Sequence, residues 1–261
     1  MSSAADQRTL RAGSAGTLRW TSRKWVLAAV SLLLVSAGAA VMLLVALATL
    51  FQKRGVYAEV IMARLGRILL SVWGVDFVVH ANQPFPVQQT VYISNHTSTL
   101  DMFVLVALGL PNTRFFLSGF LRKIVPLGII GYLTGIFWTV PQQYPERRTR
   151  IFQAAERTLR RTGESVYLSP EGERITTGSI GHFNKGAFHL ATALGVPIVP
   201  FYIAIPPAAD PGKGLDARPG KIHVYVKPSI PTGDWTLADL ERNRDRVREL
   251  FVRWNEELEA E

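Results

Sequence analysis

Between residues 25 and 51 the chain carries no charged side chain: WVLAAVSLLLVSAGAAVMLLVALATLF. Coiled as a helix, this run is about 40 Å long and exceeds the ~30 Å hydrocarbon core of a bilayer. It is too long for the apolar region of a signal peptide, and no small-x-small cleavage site precedes the QKR that closes it. Trp20 and Trp25, with Arg23 and Lys24, stand where interfacial anchors belong. The run therefore reads as a membrane segment and not as the buried helix of a soluble core. Its SAGAA stretch, residues 36–40, leaves open a bent helix that enters and leaves one leaflet. Basic residues do not orient it, because Arg8, Arg11, Arg19, Arg23 and Lys24 precede it while Lys53, Arg54, Arg64 and Arg67 follow.

The run divides the chain. Residues 1–22 are small, polar and basic, and are expected to be disordered. Residues 57–73 place apolar side chains at helical spacing around Arg64 and Arg67. That pattern suits an amphipathic helix, lying either in the membrane interface or on the domain. Residues 23–74 thus form a membrane-associated helical unit, and 75–261 remain for one folded domain.

Within that domain the hydrophobic period alternates. VDFVVH (75–80), VYIS (91–94), SVYLS (165–169), VPIVPFYIAI (196–205) and KIHVYVK (221–227) are short β-branched and aromatic runs that predict strands. LDMFVLVALGL, stopped by Pro111, predicts a buried helix, and GAFHLATALG (186–195) a short one. Residues 145–162 predict another, with Pro145 in the first turn and Gly163 as its stop. TLAD opens a C-terminal amphipathic helix carrying Leu237, Leu240, Val247, Phe251, Trp254 and Leu258. Strands alternating with helices imply an α/β domain.

Composition removes several functions. With 48% hydrophobic residues, disorder of the whole chain is excluded, and with no cysteine there is no disulfide framework, thiol nucleophile or thiolate metal site. A net charge of +9 calls for an anionic partner: nucleic acid, an anionic membrane surface or a phosphorylated substrate. The basic residues do not interleave with aromatics as in a nucleic-acid module, so lipid and phosphate fit better. His182 and His189 lack acidic partners at ligand spacing, so no metal is expected; His80 and His223 lie in strands and read as structural. No phosphate-loop or dinucleotide glycine pattern occurs.

Two motifs carry chemistry. In NHTSTLD (95–101), His96 and Asp101 are five apart and would point away from each other on one continuous helix. They meet only if His96 lies in the turn after the 91–94 strand and Asp101 one turn into the helix. Ser98 is then the N-cap, and Ser98-x-x-Asp101 has the spacing of a capping box. That geometry serves equally a helix cap and a histidine base held by a carboxylate. SPEGER (169–174) follows a predicted strand directly, at the end where α/β folds bind ligands. Arg174 offers a fork for phosphate, Glu171 a carboxylate, Gly172 a tight turn, and Lys185 a cation before a short helix.

NHTSTLD, SPEGER, FNKGAFHLA (183–191) and VPIVP (196–200), in this order and spacing, resemble the glycerolipid acyltransferase family, which includes 1-acyl-glycerol-3-phosphate acyltransferases. The match covers residues 75–205. The resemblance implies a single mixed-sheet α/β acyltransferase domain behind the membrane-binding helical segment. It implies acyl transfer from acyl-CoA or acyl-carrier protein, as co-substrate and without a cofactor, to the hydroxyl of a lysophospholipid. It also implies a membrane-bound protein, expected at the inner cell membrane with its domain on the cytoplasmic side. His96 would be the general base and Asp101 its orienting partner. Glu171, Gly172 and Arg174 would hold the acceptor's glycerol phosphate, with Asn95, Ser98 and Lys185 contributing to the substrate site. Ser98 leaves a covalent route formally open, and Pro197 and Pro200 would shape a pocket. Two places depart from the family: GIFWTVP (135–141) has Val140 and Pro141 where a headgroup-binding arginine is expected, and Ser169 replaces an aromatic or apolar residue. Arg147 or Arg148 could substitute for that arginine. Another lysolipid or an acylated amino acid remains a possible acceptor, and a lipid-binding protein without turnover is the alternative from another class.

Overall fold

The computed structural model describes residues 22–259. The expectation for residues 1–21 lies outside the described ones, as do Trp20, Arg8, Arg11 and Arg19. Helix α1 (Ser22–Ala48) carries the uncharged run, and among the described residues it is the one helix long and apolar enough to cross a membrane. A π-helical turn (Val56–Met62) leads into α2 (Ala63–Trp73). Then follow β1 (Val75–His80), β2 (Val91–Ser94), α3 (Leu100–Leu108), β3 (Thr113–Ser118), α4 (Val125–Thr134) and β4 (Phe137–Thr139). The chain closes with α5 (Pro145–Thr162), β5 (Ser165–Tyr167), α6 (Gly186–Leu194), β6 (Ile198–Ala204), β7 (Gly220–Val226) and α7 (Leu240–Glu259).

The seven strands form one mixed sheet in the order β1-β7-β6-β2-β5-β3-β4. Neighbours run parallel except β6 and β7, which are antiparallel with Phe201 opposite Val226. The central strands are buried on both faces, so β2 reads VYIS and β5 SVY without a polar alternation. One face packs against α1 to α4 through residues such as Tyr57, Leu70, Trp73, Leu100 and Leu105. The other packs against α5 to α7 through Leu159, Phe183, Phe188, Val247 and Phe251.

Helix α5 starts with Pro145 in its first turn and stops at Gly163, whose φ of +67° an L side chain rarely adopts, as its sequence predicts. Helix α2 packs on α3 with Gly66, Leu69 and Trp73 buried, and Arg67 Nε donates to the Ala107 carbonyl at 2.9 Å. Helix α1 lies along the same layer. It buries Ala39, Met42 and Ala46 and turns Leu33, Leu44 and Leu47 outward. Both its ends are tied to the domain. At the start, Lys24 Nζ meets Asp216 at 2.7 Å. At the finish, Thr49 Oγ1 meets the Tyr57 hydroxyl at 2.5 Å, and Arg54 pairs with the buried Glu164, which Arg114 Nε also reaches at 2.6 Å.

Candidate active site

After β2 the chain turns to α3 on one face of the sheet; after β5, its neighbour, it runs to α6 on the other. The two loops part at the carboxyl edge and open the crevice in which α/β sheets bind ligands. NHTSTLD and SPEGER are these two loops.

His96 stands before α3 and Asp101 within its first turn. Asp101 Oδ2 lies 3.0 Å from His96 Nδ1 and also accepts the N–H of Thr97 at 2.8 Å and of Ser98 at 2.9 Å. An acceptor already held by two backbone donors fixes the third bond as Nδ1–H to carboxylate, which leaves Nε2 as the basic nitrogen. The side chain of Asp101 is 1% exposed and that of His96 is 26% exposed, so the base reaches the crevice and its partner does not. Asp101 Oδ1 is buried without a hydrogen-bond partner among the described residues.

The capping box forms in part: the Asp101 carboxylate reaches back to the Ser98 N–H, while Ser98 Oγ accepts from Leu100 N at 3.2 Å. Ser98 is fully buried, with its hydroxyl engaged at the start of α3. Asn95 is buried and engaged in the same way. Its amide donates to the Ile203 carbonyl at 2.9 Å and accepts from Ile203 N at 2.8 Å, so it pins the β2 loop to β6.

Glu171 is 2% exposed and turned inward. Its Oε2 accepts the His96 N–H at 2.5 Å and its Oε1 the Gly181 N–H at 2.8 Å. Burial raises its pKa to about 7, against the two N–H donors, which pull it down. Both carboxylate oxygens of Glu171 are thus engaged inside the protein. Gly172 has φ +71°, and a Cβ there would fall 2.9 Å from Asn184 Nδ2 and 3.3 Å from Gln142 Nε2. Asn184 Nδ2 also holds the carbonyls of Pro170 and Glu171 at 3.0 and 2.9 Å. Arg174 reaches across to Thr99 Oγ1 at the start of α3. Lys185 is not brought to the site, because its ammonium pairs with Glu241 at the start of α7. Pro200 lies buried within β6 and Pro197 just before it, so both belong to the sheet and not to a pocket wall.

Three contributors escape sequence reading. Gly212 accepts both Thr99 N at 2.9 Å and Thr99 Oγ1 at 3.1 Å, so the Pro- and Gly-rich loop after β6 closes over the start of α3. Gln142, from the loop after β4, sits against Gly172, where the missing arginine was expected nearby. Of the two candidate substitutes, Arg147 lies over the Tyr144 ring at 5.3 Å and the half-buried Arg148 donates to the Val140 carbonyl at 3.0 Å. An apolar cavity begins one residue after Asp101, between Met102, Phe103 and Val106 of α3, Leu65 and Leu69 of α2, and Trp138 of β4.

Residues 76–204 match the family model described as Acyltransferase. The chain is 33% identical over 150 residues to 1-acyl-sn-glycerol-3-phosphate acyltransferase beta of Homo sapiens, covering 58% of this chain and 54% of that protein. It is 30% identical over 181 residues to the alpha protein of Homo sapiens, covering 68% and 62%. The chain thus spans about half to two thirds of the length of these relatives. The crystal structure of the 1-acyl-sn-glycerophosphate (LPA) acyltransferase PlsC from Thermotoga maritima has the same fold, with TM-score 0.65 at 22% identity, covering 88% of this chain and 96% of that one.

Proposed function

The chain belongs to the acyltransferase family, and on that premise we propose that it moves a fatty acyl group from a thioester to the free hydroxyl of a lysophospholipid. Lysophosphatidic acid is the first acceptor, phosphatidic acid the product, and acyl-CoA or acyl-carrier protein the donor. The observation that carries this reading is the His96–Asp101 pair at the mouth of the crevice, with Nδ1 bound and Nε2 turned from the carboxylate.

His96 Nε2 takes the proton of the acceptor hydroxyl as that oxygen attacks the thioester carbonyl. The tetrahedral intermediate collapses with cleavage of the C–S bond, and the thiolate recovers the proton from the imidazolium. Asp101 stabilises the imidazolium while it exists. Asp101 is buried, so a cation beside it is worth more than it would be in water. The cavity behind Asp101 has the chemistry of an acyl chain. Arg174, at the crevice rim, has the chemistry of the acceptor phosphate.

Acyl transfer by the purified protein in detergent tests this, with labelled oleoyl-CoA or acyl-carrier protein as donor and a panel of lysophospholipids. Turnover is expected on lysophosphatidic acid, and His96→Ala is expected to lose at least about 10²-fold in rate. Equal rates in the two proteins would remove the base. One observation favours a second reading of the acceptor: the loop after β4 presents the neutral Gln142 beside Gly172. A less acidic lysolipid would then be preferred over lysophosphatidic acid in the same panel.

A further inference from the structure

Helix α7 lies outside the segment that matches the family model. Its residue Arg248 nevertheless connects to the base. The guanidinium is partly buried and forms a fork, with Nε donating to the Gly181 carbonyl at 2.6 Å and Nη2 to the Ile180 carbonyl at 2.8 Å. The next link is the Gly181 N–H, which donates to Glu171 Oε1. Glu171 Oε2 then accepts the His96 N–H, and the His96 carbonyl accepts from Ile175 N at 2.8 Å. The His96 peptide is therefore gripped on both sides by the segment 171–181, and that segment is gripped by α7. The ring is held separately by Asp101.

We propose that Glu171 and Arg248 are positioning residues for His96, two links of one brace that sets the main chain of the base from behind while Asp101 sets its ring. This rests on the acyl-transfer reading and deepens it. Physical necessity picks the residue types. Glu171 must accept from two N–H groups at once, which a carboxylate does and a carboxamide does not. Glutamine would turn its own NH₂ against one of the donors. Arg248 must satisfy two adjacent carbonyls from one direction, which suits a planar fork and not the point charge of a lysine. The consequence is positional: a displacement of about 1 Å at a reacting group costs on the order of 10²-fold in rate.

The experiment compares wild type, Glu171→Gln, Arg248→Gln, Arg248→Lys and the double variant Glu171→Gln/Arg248→Gln. Arg253→Gln, on the exposed side of α7, is the control. At saturating donor, kcat is expected to fall about 10²-fold in Glu171→Gln and about 10-fold in Arg248→Gln, with acceptor KM changed less than about twofold. Arg248→Lys should recover only part of the loss. The double variant should be no slower than Glu171→Gln by more than about twofold, because both substitutions break one chain. A rise in acceptor KM with kcat preserved would return Glu171 to the headgroup and overturn the proposal. Additive losses would detach Arg248 from it. Hydrogen exchange of the peptide spanning 94–101 provides a readout independent of turnover. It should quicken in both single variants and not in the control, and unchanged exchange would also overturn the brace. If wild type turns over no acceptor, the acyl-transfer reading fails while this exchange result still decides the brace.

Discussion

At Asp101 a single oxygen, Oδ2, receives three donors: the imidazole and the N–H groups of Thr97 and Ser98. Asparagine in its place must keep its carbonyl oxygen there, because its NH₂ would face two backbone donors. The ring therefore keeps its tautomer and loses only the adjacent charge. Asp101→Asn should fold and should lower kcat by about 10²-fold, less than the ~10⁴-fold that follows when an amide flips the tautomer. Steady-state kinetics against wild type check this, and a loss under about threefold would take Asp101 out of the mechanism. Arg174 meets the opposite kind of test. Removing a charged fork from a phosphate, as in Arg174→Gln, should raise acceptor KM about tenfold or more and leave kcat nearly unchanged. Residue types and spacing make the His96–Asp101 encounter legible once His96 is placed in the turn before the helix, because an N-terminal helical turn has few geometries. They could not give the inward turn of Glu171 or the engagement of Asn95. Those depend on backbone groups at Gly181 and Ile203, which a one-dimensional reading does not place nearby.

Helix α1 has the length of a membrane span, yet both of its ends are bonded to the same domain. The Lys24–Asp216 pair joins its start to the loop after β6, and the Tyr57 and Glu164 contacts join its finish to the sheet's other end. Ala39, Met42 and Ala46 pack along the domain between these points. A helix so held is expected to keep both of its ends on the domain's side of a bilayer. Insertion into one leaflet, with Leu33, Leu44 and Leu47 in the lipid, satisfies both facts. The native chain has no cysteine, so single cysteines at the exposed Trp25, in the first turn of α1, and Gln52, just after its last, mark the two ends cleanly. Both should react with an impermeant maleimide from the same side of oriented vesicles, and protection of either one would indicate a span. The strand–helix–strand unit β3-α4-β4 was the part of the fold that the sequence hid. VPLGIIGYLT has Pro126 in the first turn, where proline is tolerated, but glycine at 128 and 131, a composition that argues against a helix interior. What makes it one is tertiary: Gly131 lets the Trp138 ring lie so close that a Cβ would fall 2.2 Å from it. The longer periodic segments, α5 and α7, carried their own apolar faces and were legible without that help. TLAD, however, forms a 3-10 turn (Leu237–Asp239) ahead of α7 with no side-chain cap on the backbone.

For the molecule as a whole, Glu171 makes positioning and stability respond to pH in opposite directions. In the unfolded chain it titrates at the ordinary glutamate value of 4.5; in the fold, burial moves it to about 7. Between these values the native state holds a proton that the unfolded state has released, so stability falls as pH rises. The contribution is complete below the unfolded value and is lost as pH passes through the folded one. A difference from 4.5 to about 7 is on the order of 3 kcal/mol across the window. Only the ionised carboxylate accepts from His96 and Gly181 together; the protonated acid has to turn a hydroxyl toward one of them. The brace behind the base is thus completed by the same ionisation that destabilises the fold. Denaturant midpoints of the full chain in detergent, followed from pH 4.5 to 8, should decline for wild type relative to Glu171→Gln. Parallel curves for the two proteins would mean that Glu171 titrates outside this range and that its buried carboxylate is held ionised throughout.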